Sequence, residues 1–456
     1  MHSTLSPKSL TVEPWIGPLA ISAGAILVGV IAGQGLWMFL PVVALVPLFW
    51  NWPVEMALGG VALLLPFEGI SVIGGGERGL MSLAFVISIW VVLVVGVVGR
   101  RLQRPSSATF WCFAFVGWTA ASVSWAVRPD VSIAHLTTVI GLFLFFFVMS
   151  SFRVTSNEFK CLVILTVAGG VAAGLFSLYQ FHNGVDLVSR DSVRATLSAG
   201  ETYVNPNRFA VRLLLPLAFS IAGFLSARSR LVKFTALACC GLISLALLLI
   251  QSRGTLVAAG VAVAVFCVRL KVRRGLIPIL LVAAAMIAAT PTIISRFETN
   301  DRGAGRFDIW LVGLAALQHY PVAGAGLSNF PIVYNDFAGE ARQLYMKQEN
   351  DSHNIYIEVA VEEGMIGLLL LLMTVKAQFG LLSKSRKGLS SPSPMLVACE
   401  AGFCSILVAG IFGNVLWDKT FWLTWVLLVF AITLQVRGAS PGGTAVLNDK
   451  IIKEAF

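Results

Sequence analysis

The residues best able to do chemistry in this chain surround one histidine, in the stretch Asp351-Ser352-His353-Asn354. His353 stands where a long polar segment meets an apolar run, in a chain that is 57% hydrophobic and 12% charged. Titratable groups at a membrane boundary are costly, so they indicate function by default. Asp351 or Ser352 can cap a helix that starts here, and a helix N-terminus disfavours imidazolium. We therefore predict a neutral imidazole that can act as a general base; the alternative is a histidine that only caps the helix.

Three arginines near the ends of apolar runs could hold an anion. Arg208 lies where an apolar run begins, Arg253 lies in a short turn between two such runs, and Arg306 opens a helical pattern. Arginine binds phosphate through two parallel hydrogen bonds and stays charged near lipid. Free N–H groups at a helix N-terminus would help Arg306 to hold an anion, and Gly254 would allow a close approach to the backbone. The three predict a pyrophosphate clamp, unless they only reach toward the membrane interface.

Five further residues could support such a site. Asn354, Glu358 and Glu362 fall on one stripe of a helix that the pattern predicts over 354–375. Carboxylates in a membrane helix need partners, and the outer arginines are the obvious ones, in a substrate site or in structural ion pairs. Gly324 and Gly326 could cradle a phosphate with backbone N–H groups or simply form a turn.

The same sequence disfavours two other kinds of site. There is no Asp-x-Asp element, and Glu349, Asp351 and His353 at alternate positions are the nearest approach to a metal site, so no metal is predicted. The net charge of +10 comes mostly from short basic loops, so nucleic-acid binding is not expected. The seven cysteines have no Cys-x-x-Cys spacing and are interpreted as small buried hydrophobes.

These residues must be positioned by helices that cross a membrane. Uncharged apolar runs recur along the chain, and a crossing needs roughly 20 such residues with the backbone satisfied within helices. We predict an all-α, polytopic membrane protein with roughly 12 to 14 transmembrane helices. The basic loops alternate with the others, and the positive-inside rule assigns them and both termini to the cytoplasm. The candidate residues then share the opposite side, together with a charged loop at 179–207 and an exposed turn at 414–419.

Several short motifs resemble the O-antigen ligase and polymerase superfamily of bacterial envelope enzymes. They keep the order and spacing of that superfamily between about residues 205 and 372, whereas the N-terminal third matches by hydropathy alone. The matching elements are Asn205-Pro206-Asn207, Ser252-Arg253-Gly254, Gly305-Arg306 ahead of Trp310, Pro321-Val322-Ala323-Gly324-Ala325-Gly326, His353-Asn354 and Glu362-Glu363-Gly364-Met365-Ile366-Gly367.

The resemblance implies a GT-C-like, inverting glycosyltransferase of the bacterial inner membrane that needs no cofactor or metal. Its donor would be a glycan on undecaprenyl diphosphate. Its acceptor would be lipid A-core for a ligase, or a second undecaprenyl-linked repeat for a polymerase. The resemblance assigns His353 to activation of the acceptor hydroxyl and assigns Arg253 and Arg306 to the diphosphate, while Arg208 is added here from its charge and sidedness. A transporter of lipid-linked oligosaccharides is the alternative class, and would show repeated halves and charges near mid-membrane.

The implied organisation has five segments. They are a cytoplasmic tail at 1–15, transmembrane helices with short loops at 16–294, a large periplasmic loop at 295–353, further transmembrane helices at 354–436, and a cytoplasmic tail at 437–456.

Overall fold

The apolar runs of the sequence form helices in the computed structural model. The structure describes residues 51–70, 79–185, 187–189, 192–199, 202–271, 305–339, 351–386 and 392–438. In these ranges the chain is mostly helical, which confirms the prediction of an all-α membrane protein at that level. The tails and part of the segments predicted at 16–294 and 295–353 lie outside the described residues.

The helices are numbered here in chain order. Those before the charged loop are α1 Pro53–Leu64, α2 Leu80–Val98, α3 Ser107–Ala121, α4 Pro129–Ser150 and α5 Ser156–His182. Those of the middle are α6 Pro206–Arg212, α7 Leu214–Ser226, α8 Arg230–Ile250, α9 Arg253–Leu270, α10 Arg306–His319 and α11 Phe330–Ala338. The last four are α12 Ile355–Glu362, α13 Gly364–Arg386, α14 Pro394–Ala409 and α15 Lys419–Gly438.

Eight candidate membrane spans lie within the described ranges, with α6 and α7 counted together as one. The helices at Pro53–Phe67 and Pro394–Ala409 are apolar but shorter. The most enclosed spans are α6–α7 and α15, each with 78% of its apolar window buried in the protein, whereas α4 has 33%. A helix that is apolar all round is expected at such a central position, and the outer helices turn an apolar face toward lipid. The predicted total of roughly 12 to 14 includes runs outside the described residues.

The segment predicted as a loop at 179–207 contains the end of a helix and two short β-hairpins. Helix α5 continues to His182, and two antiparallel hairpins follow. Their strands are β1 Leu187–Ser189, β2 Ser192–Arg194, β3 Ser198–Ala199 and β4 Thr202–Tyr203. The prediction of an all-α chain missed these strands because two or three residues are too few to show an alternating pattern.

The helix predicted over 354–375 is two helices, because the chain breaks at Glu363 between α12 and α13. Gly364 has a φ of 72°, in the left-handed region that ends a helix, and a side chain there would overlap the Val322 carbonyl. The break therefore makes α12 a short helix of its own, directly ahead of the long span α13.

Candidate active site

His353 is held in an unusual backbone conformation at the start of α12. Its φ of 49° lies in the left-handed region, which few residues other than glycine adopt. The next residue, Asn354, is the N-cap, and its side-chain oxygen accepts hydrogen bonds from the N–H groups of Tyr356 at 2.9 Å and Ile357 at 3.3 Å. Capping by Asp351 or Ser352 was therefore the wrong prediction. Asn354 accepts these bonds more directly, because it immediately precedes the first helical residue.

Ser352 fixes the chain on the other side of His353. Its hydroxyl is fully buried, 2.9 Å from Glu358 Oε2 and 3.1 Å from Asn414 Oδ1, and it accepts from the Asn354 N–H at 3.1 Å. The Asn354 carbonyl is a third acceptor, at 3.1 Å. One hydroxyl proton serves one acceptor at a time, so the three acceptors share it. These bonds tie the residue before His353 to α12 and to the turn ahead of α15. Surroundings of this kind are what a strained backbone needs in order to persist.

The surroundings of His353 favour its neutral form. Removal from water lowers the pKa of His353 below its ordinary value, and the nearby charges of Arg306 and Arg208 lower it further, although Asp351 opposes them. The imidazole is therefore uncharged at neutral pH and can accept a proton. The same geometry brings two of the three predicted arginines close to the histidine.

A cleft of about 390 Å³ opens beside this region. Among the predicted site residues, Arg208, Glu358 and Glu362 line it, together with Asp351 and Ser352. Removal from water raises the pKa of Glu358 to about 7, although Ser352 donates to this carboxyl group. The cleft is therefore bounded by groups that can both donate and accept hydrogen bonds near neutral pH.

The predicted clamp arginines all stand at helix N-termini. Arg208 is exposed in the first turn of α6, where the Asn205 side chain accepts from the N–H groups of Asn207 and Arg208. Arg253 and Arg306 are the first residues of α9 and α10. Arg253 is not among the charges resolved as acting on His353 in the described part of the chain. The structure thus groups Arg208 and Arg306 with the histidine and places Arg253 at a neighbouring helix start.

The close approach predicted at Gly254 is made by an aromatic side chain. A β-carbon at this position would overlap the side chain of Phe412, which follows α14. Ser252 Oγ and Thr255 Oγ1 lie 2.9 Å apart across the same turn. Gly254 therefore allows α9 to pack against the end of α14, beside Arg253.

Glu362 has a structural partner that the sequence did not indicate. Its carboxylate accepts the Ser328 N–H at 2.8 Å and the Phe330 N–H at 2.9 Å, and so caps α11 from another segment. The arginines were the expected partners for this group, but free N–H groups at a helix start satisfy the carboxyl oxygens without a cation. Glu362 therefore joins the residues after the Gly324–Gly326 turn to the helix that follows His353.

Gly324 and Gly326 form a turn packed against the break between α12 and α13. Their φ angles are 78° and 97°, and side chains there would overlap the Glu362 carbonyl and Ala126, respectively. The N–H of Ala325 donates to the Val361 carbonyl at 2.8 Å, and that of Gly326 donates to the Glu362 carbonyl at 2.7 Å. The N–H groups of Ala325 and Gly326 are therefore used within the protein, and the two glycines allow the turn to pack closely against neighbouring segments.

Sequence reasoning missed an ion-pair cluster that also lines the cleft. Arg212 Nη2 lies 3.0 Å from Glu68 Oε2 and 3.4 Å from Asp418 Oδ2, and Lys419 pairs with the other oxygen of Glu68. The turn at 414–419 was expected to be exposed, but these side chains are mostly buried. An arginine in the apolar run of α6–α7 was the available signal, since charges there are costly unless paired.

Replacing Gly324 by alanine should destabilise the protein by several kcal/mol, because the new methyl group meets backbone atoms and φ is positive. Thermal unfolding in detergent measures the effect. Gly117→Ala in α3 is the matched control, since nothing lies within 4 Å of the added carbon, and its melting temperature should be unchanged or higher. Equal melting temperatures for the two variants would contradict the packing described for the turn.

Comparisons with known proteins agree with the motifs. Residues 238–372 match the O-antigen ligase family, a segment that includes Arg253, Arg306 and His353. The chain is also similar to the exopolysaccharide production protein ExoQ of Rhizobium meliloti (strain 1021), with 25% identity over 343 residues, which is 70% of this chain and 75% of ExoQ. The resemblance to the O-antigen ligase-like superfamily that the motifs indicated is thereby confirmed.

Proposed function

We propose that this chain is an inverting glycosyltransferase of the bacterial inner membrane. It moves a glycan from undecaprenyl diphosphate to an acceptor hydroxyl at the periplasmic face, without a metal or other cofactor. The observation that carries the proposal is a histidine kept neutral beside arginines at helix starts, in the segment that matches the O-antigen ligase family. The proposed architecture is GT-C-like, with His353 at the end of a large periplasmic loop.

In this mechanism His353 removes the proton from the acceptor hydroxyl as its oxygen attacks the anomeric carbon. The bond from that carbon to the diphosphate breaks, and undecaprenyl diphosphate leaves from the opposite face. Arg306, Arg253 and Arg208 stabilise the charge that develops on the leaving group. General-base help of this kind contributes roughly 10²- to 10⁴-fold to the rate.

Ser352, Glu358 and Asn414 are positioning residues in this proposal. They do not touch the reacting atoms, but their hydrogen bonds hold the residue before His353. Glu362 and the turn at Gly324 and Gly326 act one step further away, by fixing the end of α12.

Two acceptors fit the reaction. Lipid A-core is the leading one, because the matched family is described as O-antigen ligase. A second lipid-linked repeat, and thus polymerisation, is favoured by the similarity to ExoQ, whose name refers to exopolysaccharide production. Both acceptors present a sugar hydroxyl to the same histidine.

His353→Ala should lower transfer by about 10²- to 10⁴-fold, because the general base is lost. The assay uses purified protein with chelator, undecaprenyl-diphosphate glycan, and either lipid A-core or a second lipid-linked repeat. His182→Ala, at an exposed histidine that ends α5, is the control and should retain full activity.

Product on lipid A-core would identify a ligase, and a ladder on undecaprenyl diphosphate would identify a polymerase. Full activity of His353→Ala would refute the proposed role of the histidine. Bound donor without product from either acceptor would instead favour a transporter of lipid-linked oligosaccharide.

The rate should fall in acid with a midpoint below the ordinary histidine value of about 6.5. The base form is the active one and the pKa of His353 is lowered, so activity is complete above that pKa and is lost as pH falls through it. Asp351→Asn removes the charge that raises the pKa of His353 and should move the midpoint of the fall in rate to lower pH. Arg208→Gln removes a charge that lowers this pKa and should move the midpoint to higher pH.

Glu358→Gln is the control for this profile, because the pKa of Glu358 is about 7. The midpoint of the fall in rate should be unchanged in this variant. If the rate of this variant no longer fell in acid, the pH dependence would belong to the Glu358 carboxyl group and not to His353.

Arg253→Lys and Arg306→Lys should each raise the KM for donor at least tenfold, because lysine cannot form the paired hydrogen bonds that a diphosphate accepts. Steady-state kinetics at fixed acceptor measure this. Arg128→Lys is the control, since Arg128 is 55% exposed and pairs with Asp130 at the surface. Normal donor kinetics in both test variants would rule out the diphosphate clamp.

A further inference from the structure

Part of the cleft is lined by a cluster of ion pairs. We call Glu68, Arg212, Asp418 and Lys419 the ion-pair wall; all four line the cleft. All lie outside residues 238–372, which match the O-antigen ligase family and supply other residues that line the cleft. The cleft therefore joins a wall within the matched segment to a wall formed by more distant parts of the chain.

Arg212 is the most buried member of the ion-pair wall and connects its two carboxylates. Its side chain is only 5% exposed, and it donates to the Glu68 carbonyl as well as pairing with Glu68 and Asp418. Its Nε is buried and has no hydrogen-bond partner among the described residues. A network closed for stability alone would satisfy such an atom, and buried ion pairs contribute little net stability in any case.

The front of the wall keeps unused hydrogen-bonding capacity toward the cleft. The side chains of Glu68, Asp418 and Lys419 remain 19%, 13% and 20% exposed. A carboxylate offers about four acceptor positions and an ammonium three donors, and the hydrogen bonds among the described residues use only part of them. Acceptors and donors thus stand side by side, which suits hydroxyl groups that both donate and accept.

The charge of the wall argues against an anionic ligand. Two carboxylates balance two cations, so the four residues of the wall have no formal net charge. The charge of Arg306 acts on His353, and that of Arg208, which also lines the cleft, acts on both His353 and Asp418. A diphosphate is drawn to uncompensated positive charge, and a neutral polyol is not. Trp417 adds a flat apolar surface, fixed by stacking on Phe115 and Trp422 at ring-centre distances of 6.0 and 6.2 Å.

We propose that the ion-pair wall, with Trp417, binds an uncharged sugar residue of the glycan and thereby sets sugar specificity. This inference rests on the proposed function, because it takes glycan transfer at His353 as the reaction. The phosphate chemistry then belongs to the arginine side of the site, and sugar recognition belongs to the wall outside the matched segment. Chains that share the histidine and arginines could accordingly act on different sugars.

The test is binding of the neutral oligosaccharide released by mild acid from the lipid-linked glycans of the source bacterium. Saturation-transfer NMR or calorimetry on the full-length protein in nanodiscs measures its Kd. Asp418→Asn and Lys419→Met keep the side-chain shape and should each weaken binding at least tenfold. Inhibition of transfer by inorganic pyrophosphate should be unchanged in both variants, because that anion binds at the arginine side.

Glu400→Gln is the matched control. Glu400 is also a buried carboxylate between two cations, Arg269 and Arg386, but it does not line the cleft. This variant should bind the oligosaccharide normally even if its melting temperature falls. Equal weakening in all three variants would reduce the wall to a structural ion-pair network and overturn the proposal.

The unmodified protein provides a readout that does not depend on variant folding. Bound oligosaccharide should protect Lys419 from reductive methylation, and inorganic pyrophosphate should not; lack of protection would overturn the proposal. Binding of the oligosaccharide is independent of His353. Normal oligosaccharide binding without any transfer would therefore refute the proposed function but not sugar binding at the ion-pair wall. Transfer that depends on His353, together with normal oligosaccharide binding by Asp418→Asn, would refute sugar binding at the wall but not the proposed function.

Discussion

The site depends on one contact between two stretches of backbone, where the turn at Gly324 and Gly326 meets the break at Gly364. Three glycines with positive φ let the chains approach without side chains between them, and the N–H groups of Ala325 and Gly326 bond across the gap. This contact ends α12 and separates it from α13. Because α12 is a short helix separate from the span, Glu358 and Glu362 on it line the cleft.

The remaining constraints on the histidine follow from this arrangement. Asn354 caps α12, Ser352 anchors the preceding residue, and Glu362 connects the far end of the helix to α11. The bonds of Ser352 and Glu362 join segments 62 and 32 residues apart in the sequence, so the left-handed backbone at His353 is imposed by its surroundings. The same enclosure removes water from the imidazole and lowers its pKa. Backbone position and protonation state therefore have a common origin.

The sequence predicted the class of the fold and the residue types of the site, since both depend on local signals. Long apolar runs indicate membrane helices, and a histidine between arginines in such a chain is conspicuous. Partners were harder to predict. Glu362 seemed to need an arginine, yet backbone N–H groups of a separate segment satisfy it. The pairing of Arg212 with Glu68 and Asp418 brings together positions 144 and 206 residues away, a separation that no periodicity reveals.

The short length of α14 has a consequence for depth in the bilayer. Its 16 residues reach about 24 Å, and the hydrocarbon core is about 30 Å thick. In the proposed orientation α14 begins at the cytoplasmic surface, so the turn with Asn414 and Asp418 lies several ångströms below the outer headgroups. A hydrophobic mismatch of this size thins the membrane locally. A lipid carrier could then present its headgroup to the cleft while its hydrocarbon chain stays in the bilayer.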